Sequence, residues 1–313
     1  MGTLVGHVAP GFGFFLLGLW HLYNHIKLHV LHPDAYASLP WFPASRLKYL
    51  ELFLITVASS MSICMELFIG PRSHQPFDVD GTIPSNHLHN FEHATISLTF
   101  LTYAAFAVAL DRIRPSAHYG LTQLMASIAF GQQLLLFHLH SADHMGVEGQ
   151  YHLLLQLVIF TSLATTLLGI PFRDSFLVSF VRSSSILFQG LWLIVMGFML
   201  WTPQFMPRGC FENLEEGHQV VRCGTDEDLH RAKSLVNIEF SWFLILVTVF
   251  SVSLYLIMMR FYGKNSEYMS LTKEDLVLEE DSDDVESHKK GELRDLNGFS
   301  RVRKQFAAID TGR

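Results

Sequence analysis

Seven stretches of about 20 largely apolar residues constrain this chain more than any other feature. They span roughly 10–30, 47–70, 87–110, 121–140, 151–170, 184–201 and 238–259. About 20 helical residues cross the ~30 Å hydrocarbon layer of a bilayer. Inside that layer every backbone polar group needs an internal partner, which separate apolar runs of this length find only as helices. Composition agrees. Half the residues are apolar and 16% are charged, where a soluble domain has about a quarter charged. The expected fold class is all-α, a polytopic seven-transmembrane helix bundle over residues 1–262 with a disordered cytosolic C-terminal tail over 263–313. The tail holds an acidic cluster, L-E-E-D-S-D-D-V-E, and a basic one, R-V-R-K. Such a segment buries too little apolar surface to fold alone, and suits sorting or binding to protein partners.

The net charge of −7 is divided between the bundle and the tail and says little about partners. No basic patch with interleaved aromatics is present, so nucleic acid is not expected; membrane lipids are. The N-terminus has no charged region ahead of its apolar run, unlike a cleavable signal peptide. Alternate loops carry Arg46 and Lys48, Arg112 and Arg114, Arg173 and Arg182, then Arg260 and Lys264. Basic loops stay cytoplasmic, which predicts a lumenal or extracellular N-terminus and a cytosolic tail. Cys210 and Cys223 then share one loop on the oxidising side, and a disulfide between them is expected. Cys64 lies within a span as packing.

Histidines gather where spans two to five reach the lumenal side. Asn86 to His152 contains His87, His89, His93, His138, His140, His144 and His152. Glu66 and Glu92 lie at the same depth, and a carboxylate inside a span is costly enough to suggest function. His89 and His93 are four apart on one helix face, and Glu148 and His152 repeat that spacing. His138 and His140 diverge by about 200° in a regular helix. Imidazole and carboxylate together suit zinc better than magnesium or calcium. The chain has no HExxH sequence, so the zinc-protease pattern is absent. Nearer the other end, His21, His25 and His29 share a helix face. That stripe either lines a polar cavity or approaches the far interface. Glu51 is a second carboxylate within a span.

Several segments in order carry a family resemblance: G-H-V-A-P-G-F-G-F-F-L-L-G-L-W, M-E-L-F-I-G, E-H-A-T, F-H-L-H, Y-H-L-L-L and R-S-S-S-I-L-F-Q-G-L-W. Over about residues 1–260 the chain resembles the transmembrane protein 45 family, a group with a domain of unknown function whose plant members were called viral-response proteins. The resemblance implies a seven-span protein of Golgi, endosomal or plasma membranes. It retains His7, Glu66, His93, His138, His140 and His152, whereas His87, His89 and His144 fall where animal members differ. The expected metal ligands are therefore Glu66, His93, His138, His140 and His152, with His89 and His144 as weaker candidates. The expected ion is Zn2+, and Glu66 is the candidate catalytic base. The resemblance carries no established reaction. Zinc-holding seven-span ceramidases and adiponectin receptors offer analogy only, since their motif order is missing.

Two functions follow from these residues. One is a metal-dependent membrane hydrolase acting on a lipid. The other is a non-catalytic membrane protein in which the metal or the protonatable histidines serve structure, pH sensing or transport.

Overall fold

The structure is a computed structural model and describes residues 4–71, 74–139, 146–215 and 218–286, with 263–286 as backbone alone. Seven helices follow one another: α1 (Leu4–Leu31), α2 (Leu50–Cys64), α3 (Leu88–Ile113), α4 (His118–His138), α5 (Val147–Leu168), α6 (Phe176–Trp201) and α7 (Asp226–Glu286). All seven contain a stretch long and apolar enough to cross a membrane. Residues up to Gly263 form one compact unit, and Lys264–Arg313 form another, whose described backbone is helical to Glu286. Of the tail expected to be disordered over 263–313, residues 263–286 continue the last helix, and 287–313 lie outside the described residues.

Local chemistry sets the helix ends. Ser175 caps α6, its hydroxyl accepting from the Val178 amide at 3.4 Å. Thr225 caps α7 in the same way through the Asp228 amide at 3.1 Å. Asp226, Glu227 and Asp228 then place negative charge on the first turn, where the helix dipole favours it. α3 stops where Arg114 turns left-handed at φ 52°, just before Pro115.

α6 is the central post, with two thirds of its apolar window buried, while the α2 and α7 spans are the least buried at 17% each. α1 runs antiparallel to α6 along a seam of glycines. A Cβ on Gly190 would stand 2.1 Å from the Phe15 amide nitrogen, and one on Gly18 would stand 2.2 Å from that of Leu187. Only glycine permits backbones this close, and small residues are how helices pack when lipid competes for apolar surface. Leu22, Ile26, Leu155, Ile159, Trp192 and Met196 complete the core between α1, α5 and α6.

Four features differ from the sequence expectation. α1 begins at Leu4 and runs through Pro10, because neighbouring helices let a spanning helix absorb a proline. α2 loosens at its end into a π-helical turn, Met65–Ile69, which carries Glu66. The connection expected as plain loop between spans six and seven contains a hairpin, β1 (Cys210–Glu215) with β2 (His218–Cys223). Its register pairs Cys210 with Cys223, and their sulfurs are bonded. Arg182 was counted among loop charges, but α6 starts at Phe176 and Arg182 sits inside it, 2% exposed. It therefore drops out of the orientation count.

Candidate metal centre

One end of the bundle holds the start of α1, the end of α2, the start of α3, the end of α4 and the start of α5. There His7, Glu148 and His152 are buried, and each offers a ligand atom within 4.8 Å of the others. Glu148 and His152 stand one turn apart on α5, so both reach the same side. His7 comes from α1. Its approach depends on the seam, since a Cβ on Gly197 would lie 3.1 Å from that of His7. The His7 ring lies 6.0 Å from His152 and 6.3 Å from Trp201. A tetrahedral zinc with bonds of about 2.0–2.1 Å sets its ligand atoms about 3.3 Å apart. Side-chain rotation of about an ångström closes the three residues onto such an ion. A carboxylate and two imidazoles are also the donor set zinc accepts.

The residues singled out from the sequence are dispersed around this set. Glu66 belongs to a separate pair: it accepts from Asn90 Nδ2 at 2.7 Å, and His93 Nδ1 lies 3.4 Å from its other oxygen. The Phe137 ring lies 6.5 Å from His93 and is stacked 5.6 Å from His152. His138 is exposed, with its Nδ1 3.2 Å from Gln156 Oε1. About 100° of helical phase per residue explains this, since Phe137 takes the inward position and its neighbour cannot. His89 and His93 rings are 6.4 Å apart on α3. His140 and His144 lie outside the described residues. Of the expected ligands, His152 is therefore in the cluster, and the pairing of Glu148 with it follows its sequence spacing. His7 was missed because Pro10 marked the start of the span.

The opposite end holds a second polar cluster, and it resolves the histidine stripe of α1. His21 and His25 are buried, and His29 is half-buried against Phe176. Glu51 receives His21 Nε2 at 2.8 Å, Trp20 Nε1 at 3.1 Å and the Phe42 amide at 2.9 Å. Arg182 donates to Gln123 Oε1 at 3.0 Å, to His25 Nε2 at 3.1 Å and to the Leu39 carbonyl at 3.3 Å. A guanidinium only donates, so His25 Nε2 is the acceptor. The neutral ring then carries its proton on Nδ1, 2.8 Å from the Tyr36 hydroxyl. Burial pushes the Tyr36 phenol up to about 12, which keeps it un-ionised. The segment between α1 and α2 thus folds into the bundle end: Ser38, Leu39 and Phe42 each hydrogen-bond a buried partner.

Residues 119–256 match the model of a family of unknown function, DUF716. The match runs from α4 into α7 and includes Glu148, His152 and Arg182, while His7, Glu66 and His93 precede it.

Proposed function

We propose that this chain is an integral membrane protein holding a zinc-type ion through His7, Glu148 and His152. The observation that carries the reading is their convergence: two imidazoles and a carboxylate, all buried, from helices far apart in sequence. Three protein ligands of the His2Glu kind are the set used by catalytic zinc, which leaves a fourth position for substrate. An ion so held acts as a Lewis acid on a carbonyl. The site's place at one end of spanning helices favours a lipid ester or amide as substrate, so a metal-dependent membrane hydrolase is the finer reading. Glu66, paired with Asn90 and His93, is not one of the three converging residues.

We assign the His7 end to the lumenal or extracellular side, on the support of the Cys210–Cys223 hairpin at that end. The resemblance to the transmembrane protein 45 group and a place in Golgi, endosomal or plasma membranes belong to the same proposal. Elemental analysis of the purified full chain tests the metal. About one zinc per chain is expected, falling to background in His152→Ala and in Glu148→Gln. A metal-free wild-type protein, purified without chelator from zinc-supplemented cells, overturns the reading.

A second reading has its own support. The three residues tie α1 to α5 in a buried position beside Trp201, as a structural clasp would. Zinc removal that lowers the melting temperature, with no hydrolysis of any lipid ester or amide offered, favours the clasp.

A further inference from the structure

A cavity of about 500 Å3 opens at the Arg182 end between α1, α6 and α7. Its wall includes His29, Tyr36, Phe176, Phe180 and Tyr255, with Asp174 at the rim. The rings are arranged around Phe176. His29 stacks on it at 4.0 Å, Tyr36 meets it edge-on at 5.7 Å, and Tyr255 lies tilted at 5.5 Å. His29 Nδ1 is buried there with no hydrogen-bond partner. Asp174 is exposed and is the one Asp, Glu, Lys or Arg among the lining residues.

This chemistry selects its ligand. The volume falls within the ~300–1,000 Å3 of small-ligand sites. A primary ammonium needs several direct hydrogen-bond acceptors, and the lining is mostly rings and aliphatic groups. A quaternary ammonium has no N–H to satisfy. It carries a diffuse charge that ring faces attract, with a nearby carboxylate adding to the field. An anionic group would meet Asp174 first. The cavity also lies where spanning helices end, at the level of lipid head groups. From it, Val249, Val252 and Leu256 of α7 offer exposed apolar surface, 44% to 59% exposed, along which acyl chains can lie.

We propose that this cavity binds the trimethylammonium head group of a membrane phospholipid of the phosphatidylcholine class. The site is at the other end of the bundle from His7, Glu148 and His152, and it stands whether or not those residues hold a metal.

The test uses the full chain purified in dodecyl maltoside and mixed with equal amounts of phosphatidylcholine and phosphatidylglycerol of identical acyl chains. Native mass spectrometry reads which lipid stays bound. Wild type is expected to retain phosphatidylcholine about tenfold over phosphatidylglycerol, the scale of a desolvated cation–ring contact. Asp174→Asn and Tyr255→Leu are each expected to bring the ratio to within about twofold, with Phe180→Leu replacing Tyr255→Leu if the latter loses its thermal transition. Equal retention of both lipids by wild type overturns the proposal, as does a preference that survives either substitution in a folded variant. Glycerophosphocholine, the same head group without chains, separates the sources. Weak competition supports a lipid, and displacement at equimolar amounts overturns the lipid assignment.

Discussion

The two ends of this bundle solve the problem of buried polar groups in opposite ways. At the Arg182 end, donors and acceptors alternate. A permanent cation faces an amide oxygen, an imidazole nitrogen and a carbonyl, and Glu51 collects three donors. At the His7 end, a carboxylate and two imidazoles converge on one another, with no Arg or Lys among them. Each neutral imidazole offers one lone pair and one N–H, and the carboxylate offers only lone pairs, so the cluster is rich in acceptors without a permanent cation of its own. The lesson is that burial alone does not mark a binding site. Alternation of donors and acceptors ties the Arg182 end into one network, and the His7 end gathers a compact His2Glu cluster instead.

Four substitutions break or sharpen this contrast. The largest effect falls on both ends at once. Gly190→Val drives a side chain into the Phe15 backbone, and α1 supplies residues to each cluster. No monodisperse folded protein is expected by size-exclusion chromatography in detergent. Arg182→Met should damage one end only. It leaves Gln123, His25 and the Leu39 carbonyl without their donor. A loss of about 3–5 kcal/mol is expected from breaking a buried charged network, read from thermal unfolding, with zinc content unchanged. His152→Ala should show the reverse. Zinc falls to background, and chelation with EDTA, which lowers the wild-type melting temperature, leaves the variant's where it was. The smallest effect is expected at Lys48, whose partner is Asp111 on the surface of the Arg182 end. Lys48→Ala should leave the melting temperature within measurement error, because exposed ion pairs contribute little.

Much of the fold was legible because hydropathy over about 20 residues reports the bilayer directly. The seven spanning stretches needed nothing more. The details of the candidate centre were not legible, for reasons that can be named. Pro10 looks like a boundary, and only the packing of α1 on α6 shows that the helix continues to His7. The π-helical turn at Met65–Ile69 depends on backbone spacing that no local pattern announces. Arg182 looks like a loop charge by its neighbours Arg173 and Ser183, and is instead the cation at the heart of a buried cluster. His138 and His152 carry the same kind of sequence signal, and helical phase alone separates the exposed ring from the buried one. The Glu148–His152 spacing was visible in the sequence, but Glu148 was not among the expected ligands.

The glycine seam also bears on how the protein is made. α1 leaves the ribosome first, and its partner α6 follows only after four further helices have been synthesised. At about 5–20 residues per second that interval is roughly 10–30 s. His21 meets its partner Glu51 on the next helix, whereas His25 waits for Arg182 on the sixth. The α1–α6 seam can therefore close only after the sixth helix has been made.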